Sequence, residues 1–230
     1  MRSAVLGAML TALIVVCGAS ASAQVANGSF ESGTSDPGDF WLTLDAGSNV
    51  IDSWTIDEGS IDYMGGWWQA SDGVRSLDMS GLVPGKISQY VATVPGTSYK
   101  VSFDMSGNPD GEPLVKLITV TADGGQGQTF SYDISAFGNS RLNMGWARQQ
   151  YTFVAQSDLT LLSFASGTDG FYGPTLDNVS MEAIVTTDPT FFTICHRNFG
   201  RHGLKTLVVN ADDYVSHMGH GDKDGPCETE

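Results

Sequence analysis

A chain of 230 residues with 26 Asp and Glu against 11 Lys and Arg carries a formal charge of −15, and is long enough for one sizeable domain with a small appendage. Phosphate backbones and anionic lipid headgroups repel so acidic a chain, which argues against nucleic acid and direct membrane insertion and leaves divalent cations as the favourable charged partners.

The first element is a leader. Arg2 precedes an apolar run over 4–16, and Ala21-Ser22-Ala23 supplies small residues ahead of Gln24, the pattern of a secretory signal peptide over 1–23. The run is too short to span a bilayer and no second long apolar stretch follows, so a secreted product, extracellular or periplasmic, is expected.

From Gln24 onward the chain consists of short alternating runs punctuated by Gly, Asp, Asn and Pro, an all-β texture. The spacing predicts strands over 75–79, 87–92, 98–106, 115–121, 129–134, 150–155, 160–164 and 176–183, within a total of about eight to ten. The clearest is 98–106, where Tyr99, Val101, Phe103 and Met105 point one way and Lys100, Ser102 and Asp104 the other, one face buried and one wet. Many short strands, glycine-rich turns and no helical pattern between strands predict a two-sheet β-sandwich or jelly roll over 24–185.

The texture changes at Val185-Thr186-Thr187-Asp188-Pro189-Thr190, which places a linker over 186–193 and a small tail module over 194–230, with a strand at 205–209 and helical turns at 211–218. All four histidines, His196, His202, His217 and His220, and both cysteines beyond the leader, Cys195 and Cys227, lie past this boundary. In an oxidising compartment the two cysteines are expected to pair. His217 and His220, three apart and able to share a helical face, are candidate zinc ligands beside that disulfide.

No motif of nucleophilic, zinc-protease or phosphate-cradling type is present, and with no histidine in the sandwich a Ser-His-Asp arrangement there is impossible. A polysaccharide hydrolase using two carboxylates stays open as an alternative, because the pairing of acidic residues is invisible in sequence.

Several segments carry a family resemblance. They are Asn27-Gly28-Ser29-Phe30-Glu31, Gly59-Ser60-Ile61-Asp62-Tyr63, Trp68-Gln69-Ala70-Ser71-Asp72-Gly73, Ser76-Leu77-Asp78, Pro84-Gly85-Lys86-Ile87-Ser88-Gln89, Gly107-Asn108-Pro109 and Gly173-Pro174-Thr175-Leu176-Asp177-Asn178-Val179. In this order they resemble bacterial choice-of-anchor C proteins and the plant cell-wall proteins grouped as domain of unknown function 642. The resemblance implies a galactose-binding-like jelly roll and a calcium ion between Glu31 and Asp177, with Asp78 a third candidate ligand; calcium takes six to eight oxygens from carboxylates, carbonyls and water. The tail departs from the family pattern, since it stands where a sorting signal would.

Tyr63, Trp67, Trp68, Gln69 and Arg75 lie close together in sequence and form a candidate sugar platform, because sugar rings pack their C–H faces on flat aromatics while hydroxyls pair with polar side chains. In extended backbone Trp67 and Trp68 point to opposite faces, one in and one out. The function expected is a non-catalytic binding module for extracellular or cell-wall polysaccharide. The alternative is a structural or adhesive matrix protein with a protein partner held through the tail.

Overall fold

The computed structural model describes residues 25–136, 138–184, 191–197 and 203–227; the predicted leader, His202 and most of the predicted linker lie outside them. The chain divides into two units, 1–184 and 185–230.

The first unit contains β1 (Trp41–Asp45), β2 (Thr55–Glu58), β3 (Ser60–Met64), β4 (Ser76–Asp78), β5 (Lys86–Ala92), β6 (Ser98–Gly107), β7 (Val115–Ala122), β8 (Gln128–Asp133), β9 (Ala147–Val154), β10 (Leu159–Ser166) and β11 (Pro174–Ala183). They form a six-stranded sheet in the order β1-β3-β4-β11-β6-β9 and a five-stranded sheet in the order β2-β5-β10-β7-β8, with every pairing antiparallel. This is the expected all-β architecture, a two-sheet antiparallel sandwich, with a small Cys- and His-containing appendage.

The eight strands expected from alternation are all present, with ends that differ by up to three residues. Strands β1, β2 and β3 were not expected from the pattern. They are four or five residues long, and the outward face of β3 is itself covered: Ser60 and Met64 are as buried as Ile61 and Tyr63, which blurs the contrast between the two faces.

The core fills the space between the sheets. Phe103 on β6 meets Phe130 and Phe164 edge-on, at centroid distances of 5.2 and 5.3 Å, an arrangement that the ring quadrupoles favour. Trp54 packs on Phe30 at 5.4 Å and donates its indole N–H to the Asn27 carbonyl at 3.0 Å, which fixes the opening turn on the sandwich. Gly28 lies against β11 so closely that a Cβ would stand 1.9 Å from the Val179 carbonyl oxygen, and the Val179 amide donates to the Gly28 carbonyl at 2.8 Å. A bulge interrupts the β11–β6 register between Asp177 and Ser180, with Asn178 left-handed at φ 51°. The extra residue restores alternation beyond Asp177, so Leu176, Val179 and Met181 all enter the core.

The second unit contains β12 (Phe192–Arg197), β13 (Leu204–Val209), α1 (Ala211–Gly219) and β14 (Lys223–Asp224), with a three-stranded sheet in the order β13-β12-β14. The predicted strand and helical turns fall on β13 and α1, while β12 begins at Phe192, inside the stretch expected to be linker. The Asn210 side chain accepts the Asp213 amide at 2.8 Å and caps α1 at its start. A disulfide joins Cys195 to Cys227, as expected. No helix of the described residues is long and apolar enough to cross a membrane.

Phe103 is fully buried between two aromatic partners, so Phe103→Ala is expected to cost about 3–5 kcal/mol. Urea denaturation would show this as a fall in midpoint at unchanged slope.

Candidate functional site

The outer face of the six-stranded sheet is polar yet largely sealed. Register places Thr43, Asp62, Asp78, Thr175 and Ser106 side by side across five strands, and the last three are fully buried. Loops rather than a second sheet cover this face. The segment 65–75 crosses it, pinned at one end by Gly65 and Gly66 amides donating to the Phe40 and Gly38 carbonyls at 2.7 and 2.8 Å. Trp68 turns inward onto Met64 and Met144, a small apolar cluster outside the main core, and donates its indole N–H to the Ser76 hydroxyl at 2.8 Å. Trp67 stays half-exposed and packs against the edge of the same cluster; the pair lies in a turn and not in extended backbone, so the two rings are not sent to opposite faces by strand alternation as expected.

Beside this cover lies a cleft of about 470 Å³ with Trp41, Trp67 and Tyr172 among its walls and Thr43, Asp62 and Asn108 among its polar lining. Trp41 meets Trp67 edge-on at 5.0 Å. The Trp67 ring is held in place: Arg141 lies 3.7 Å from its centroid, Asp110 accepts its indole N–H at 3.1 Å, and Arg141 pairs with the same carboxylate at 2.8 Å. Asp62 accepts the Thr43 hydroxyl at 2.6 Å, and burial raises its pKa.

Beneath the cleft, Asp78 has no exposed surface. One carboxylate oxygen accepts the Ser80 and Gly173 amides at 2.9 and 3.1 Å, and the other accepts the Asn108 side-chain amide at 2.7 Å. Burial pushes its pKa up to about 8 despite these three donors, and the neighbouring Asp62 charge adds to the rise. Lys116 is also fully buried. Its ammonium donates to the Gly111 and Tyr172 carbonyls at 2.8 and 2.6 Å, and burial lowers its pKa to about 8. It thereby joins the two loops that carry Asp110 and Tyr172.

The predicted platform residues divide. Trp67 and Trp68 line the cleft. Tyr63 is a core residue, 1 % exposed, whose hydroxyl donates to the Phe30 carbonyl at 2.6 Å. Arg75 pairs with Asp36 at 2.6 Å and sits over the Tyr63 ring. Gln69 belongs to a separate shallow depression beside Trp146, whose indole N–H donates to the Gln69 carbonyl at 2.9 Å. Sequence reasoning did not find Trp41, Asn108, Asp110, Arg141 or Tyr172. The alternation of Trp41 and Thr43 with Leu42 and Leu44 offered a signal for the first; nothing in the pattern marked Arg141.

Glu31 and Asp177 hold one loop from two sides. Glu31 accepts the Val74 and Arg75 amides at 2.8 and 2.6 Å; Asp177 accepts the Ser71 and Asp72 amides at 2.7 and 2.9 Å, and that of Asn178 at 2.6 Å. Gly73 sits under the Glu31 carboxylate, where a Cβ would come within 2.4 Å of its oxygen. Asp78 belongs to the other network, so the three expected carboxylates are not brought together. Among the described residues, three potential metal donors converge instead at His196, His217 and Asp222 in the second unit. His220 is the C-cap of α1 and stands outside that group.

A two-sheet antiparallel sandwich with an aromatic-walled cleft on the loop-covered face of one sheet, joined to a small disulfide-bonded unit, is the class that fold and site define. The family model described as "Protein of unknown function (DUF642)" matches residues 23–182, and the chain belongs to that family. It is similar to halomucin of Haloquadratum walsbyi (strain DSM 16790 / HBSQ001), 32 % identical over 196 residues; the match takes in 79 % of this chain and spans 2 % of halomucin. Among solved structures it is similar to a family 35 carbohydrate-binding module from Clostridium thermocellum, at 14 % identity and a TM-score of 0.43 over 62 % of this chain and 98 % of that one. It is also similar to the CBM22-1 xylan-binding domain from Paenibacillus barcinonensis, at 19 % identity and a TM-score of 0.39 over 65 % and 97 %.

The Asp78 pKa is raised from an ordinary 3.8 to about 8, so the folded state binds its proton more tightly than the unfolded chain. This stability is fully present below about pH 3.8 and is lost as pH rises through 8. Stability–pH curves from urea melts should therefore fall more steeply between pH 4 and 8 in the parent protein than in Asp78→Asn; parallel curves would contradict the assignment.

Proposed function

We propose that the chain is an exported, non-catalytic module that binds extracellular polysaccharide through the cleft between Trp41, Trp67 and Tyr172. The observation that carries this reading is the pairing of immobilised aromatic surface with a polar floor. Trp41 and Trp67 offer ring faces and edges for sugar C–H groups, while Asp62, Asn108 and Thr43 offer acceptors and donors for hydroxyls. Trp67 is locked by Asp110 and Arg141 before any ligand arrives, so little side-chain entropy remains to be lost on binding. Acidic groups in the floor and the net charge of −15 favour neutral over anionic glycans.

The carboxylates support binding rather than hydrolysis. Asp78 is sealed and Asp110 is committed to Arg141, which leaves Asp62 without the second accessible carboxylate that glycoside hydrolysis requires. Export fits the disulfide between Cys195 and Cys227, a bond that persists in oxidising compartments.

Affinity electrophoresis through gels containing neutral polysaccharides tests the reading. Retardation by at least one neutral glycan is expected, with Trp67→Ala weakening it about tenfold, or roughly 1.4 kcal/mol, and Tyr90→Ala, on an exposed side chain of β5 outside the cleft, leaving it unchanged. No retardation across a broad panel, or equal retardation of Trp67→Ala, would refute it.

The calcium reading rests on Glu31 and Asp177 bracketing residues 71–75. The second Glu31 oxygen accepts no hydrogen bond among the described residues, and the carbonyls of that loop are the neutral donors the ion would take. A calcium ion there is structural. At one hundred times its dissociation constant it adds about 2.7 kcal/mol, or roughly 5–10 °C in melting temperature for a chain of this size. A melting temperature unmoved by chelator, or lowered equally in Glu31→Gln, would remove it.

A further inference from the structure

The second unit holds a cluster that the cleft does not use. His196 lies near the end of β12, His217 in the last turn of α1, and Asp222 in the turn before β14. Nδ1 of His196 and Nδ1 of His217 face the same Asp222 oxygen, Oδ2, at 2.8 and 2.7 Å, and the Arg197 amide donates to Oδ1 at 2.9 Å. The three donor atoms lie within 4.8 Å of one another. We propose that these atoms form a divalent transition-metal site of the zinc class, with two imidazole nitrogens, one carboxylate oxygen and a fourth position open to water or an external donor.

The backbone is built to deliver this set. Where α1 ends, the Gly221 amide donates to the Met218 carbonyl and the Asp222 amide to the His217 carbonyl, both at 3.2 Å, and Gly221 takes φ 87°. This is a Schellman cap, with His220 as C-cap and Gly221 as the left-handed residue after it. The reversal returns Asp222 to the histidine one turn back in the helix. It also settles the role of the other histidine: His220 ends the helix, so the functional spacing runs from His217 to Asp222.

The electrostatics point the same way. The Asp222 side chain is 1 % exposed, and among the described residues no Lys or Arg side chain pairs with it. A buried carboxylate needs a charge partner or a metal, and among the described residues the side chains that meet it are two imidazoles. Nitrogen donors beside a single carboxylate suit zinc rather than calcium, which prefers an all-oxygen shell. At zinc bond lengths of about 2.0–2.1 Å, tetrahedral donors stand roughly 3.3 Å apart, so the two nitrogen–oxygen separations of 2.8 and 2.7 Å would each open by about half an ångström. The histidine side chains keep 32 % and 25 % exposure, which leaves a route for the ion.

Zinc titrated into the full, oxidised chain against a chromogenic chelator, with millimolar calcium present to fill oxygen-only sites, decides the matter. One zinc per chain is expected. Affinity should fall at least about tenfold in His196→Ala, His217→Ala and Asp222→Asn and stay within about twofold in His220→Ala; cobalt should give tetrahedral absorption bands that the same three variants lose. Thiol titration reports whether the disulfide persists. If a histidine variant loses it, Asp222→Asn decides, since it keeps the side-chain volume and an oxygen for the Arg197 amide. Absence of stoichiometric zinc binding, wild-type affinity in Asp222→Asn, or a His220→Ala loss as large as that of His217→Ala would overturn the proposal.

Discussion

The hydrogen bonding of Asp78 is the constraint on which the cleft depends. Its carboxyl group takes one donor from each of three segments: Ser80 from the loop after β4, Asn108 from the loop after β6, and Gly173 from the approach to β11. Each segment carries cleft residues: Gly81 and Leu82, Asn108 and Asp110, Phe171 and Tyr172. A side chain at 173 would collide with this arrangement, since its Cβ would stand 2.5 Å from both the Asp78 carboxylate and the Ser80 hydroxyl. Lys116 ties two of the same loops together from below through the Gly111 and Tyr172 carbonyls. The carboxyl group of Asp78 and the amino group of Lys116, both without exposed surface, thus do for the loops what apolar contacts do for the sheets. Such polar linkages are directional and costly to leave half-made, which is why they fix a shape more narrowly than burial does.

The sandwich and its cover rest on different physics. Between the sheets, side chains interlock through aromatic edges and aliphatic packing, and stability scales with area removed from water. Over the outer face, residues 65–75 stay in place by three separate means: backbone bonds to 38 and 40, the Trp68 plug on Met64 and Met144, and the grip of Glu31 and Asp177 on 71–75. Trp67 inherits its position from all three. Its aromatic face is therefore a property of the loop's anchoring as much as of the residue itself.

Alternation along strands such as 98–106 was legible in sequence because one face meets the core and the other is polar, and this sufficed for the fold. It did not suffice for the cleft, whose walls come from positions 41, 67, 110, 141 and 172 and converge only through sheet order. Nearness in sequence grouped Tyr63, Gln69 and Arg75 with the two tryptophans. The period of two in β3 sends Tyr63 inward, and Asp36 claims Arg75. In the tail, the i, i+3 pair His217 and His220 reads as one helical face, yet the helix stops at Gly219. The glycine at 221 signals that stop and directs attention to the residue after it.

The second unit is too small to rest on a hydrophobic core alone. Among the described residues its buried apolar set amounts to Ile194, Cys195 and Val209, with the Phe192 and Tyr214 rings stacked at 4.2 Å. What closes it are two cross-connections from consecutive residues of β12. Cys195 reaches forward to Cys227 through sulfur, and His196 reaches Asp222 and, through it, His217. Adjacent residues on one strand point to opposite faces, so the disulfide ties one side of the sheet and the polar cluster the other. The disulfide fixes the register of β12 against the C-terminal segment, and β12 in turn sets the height of His196 above Asp222. The geometry of the donor cluster is therefore tied to the oxidation state of the cysteines.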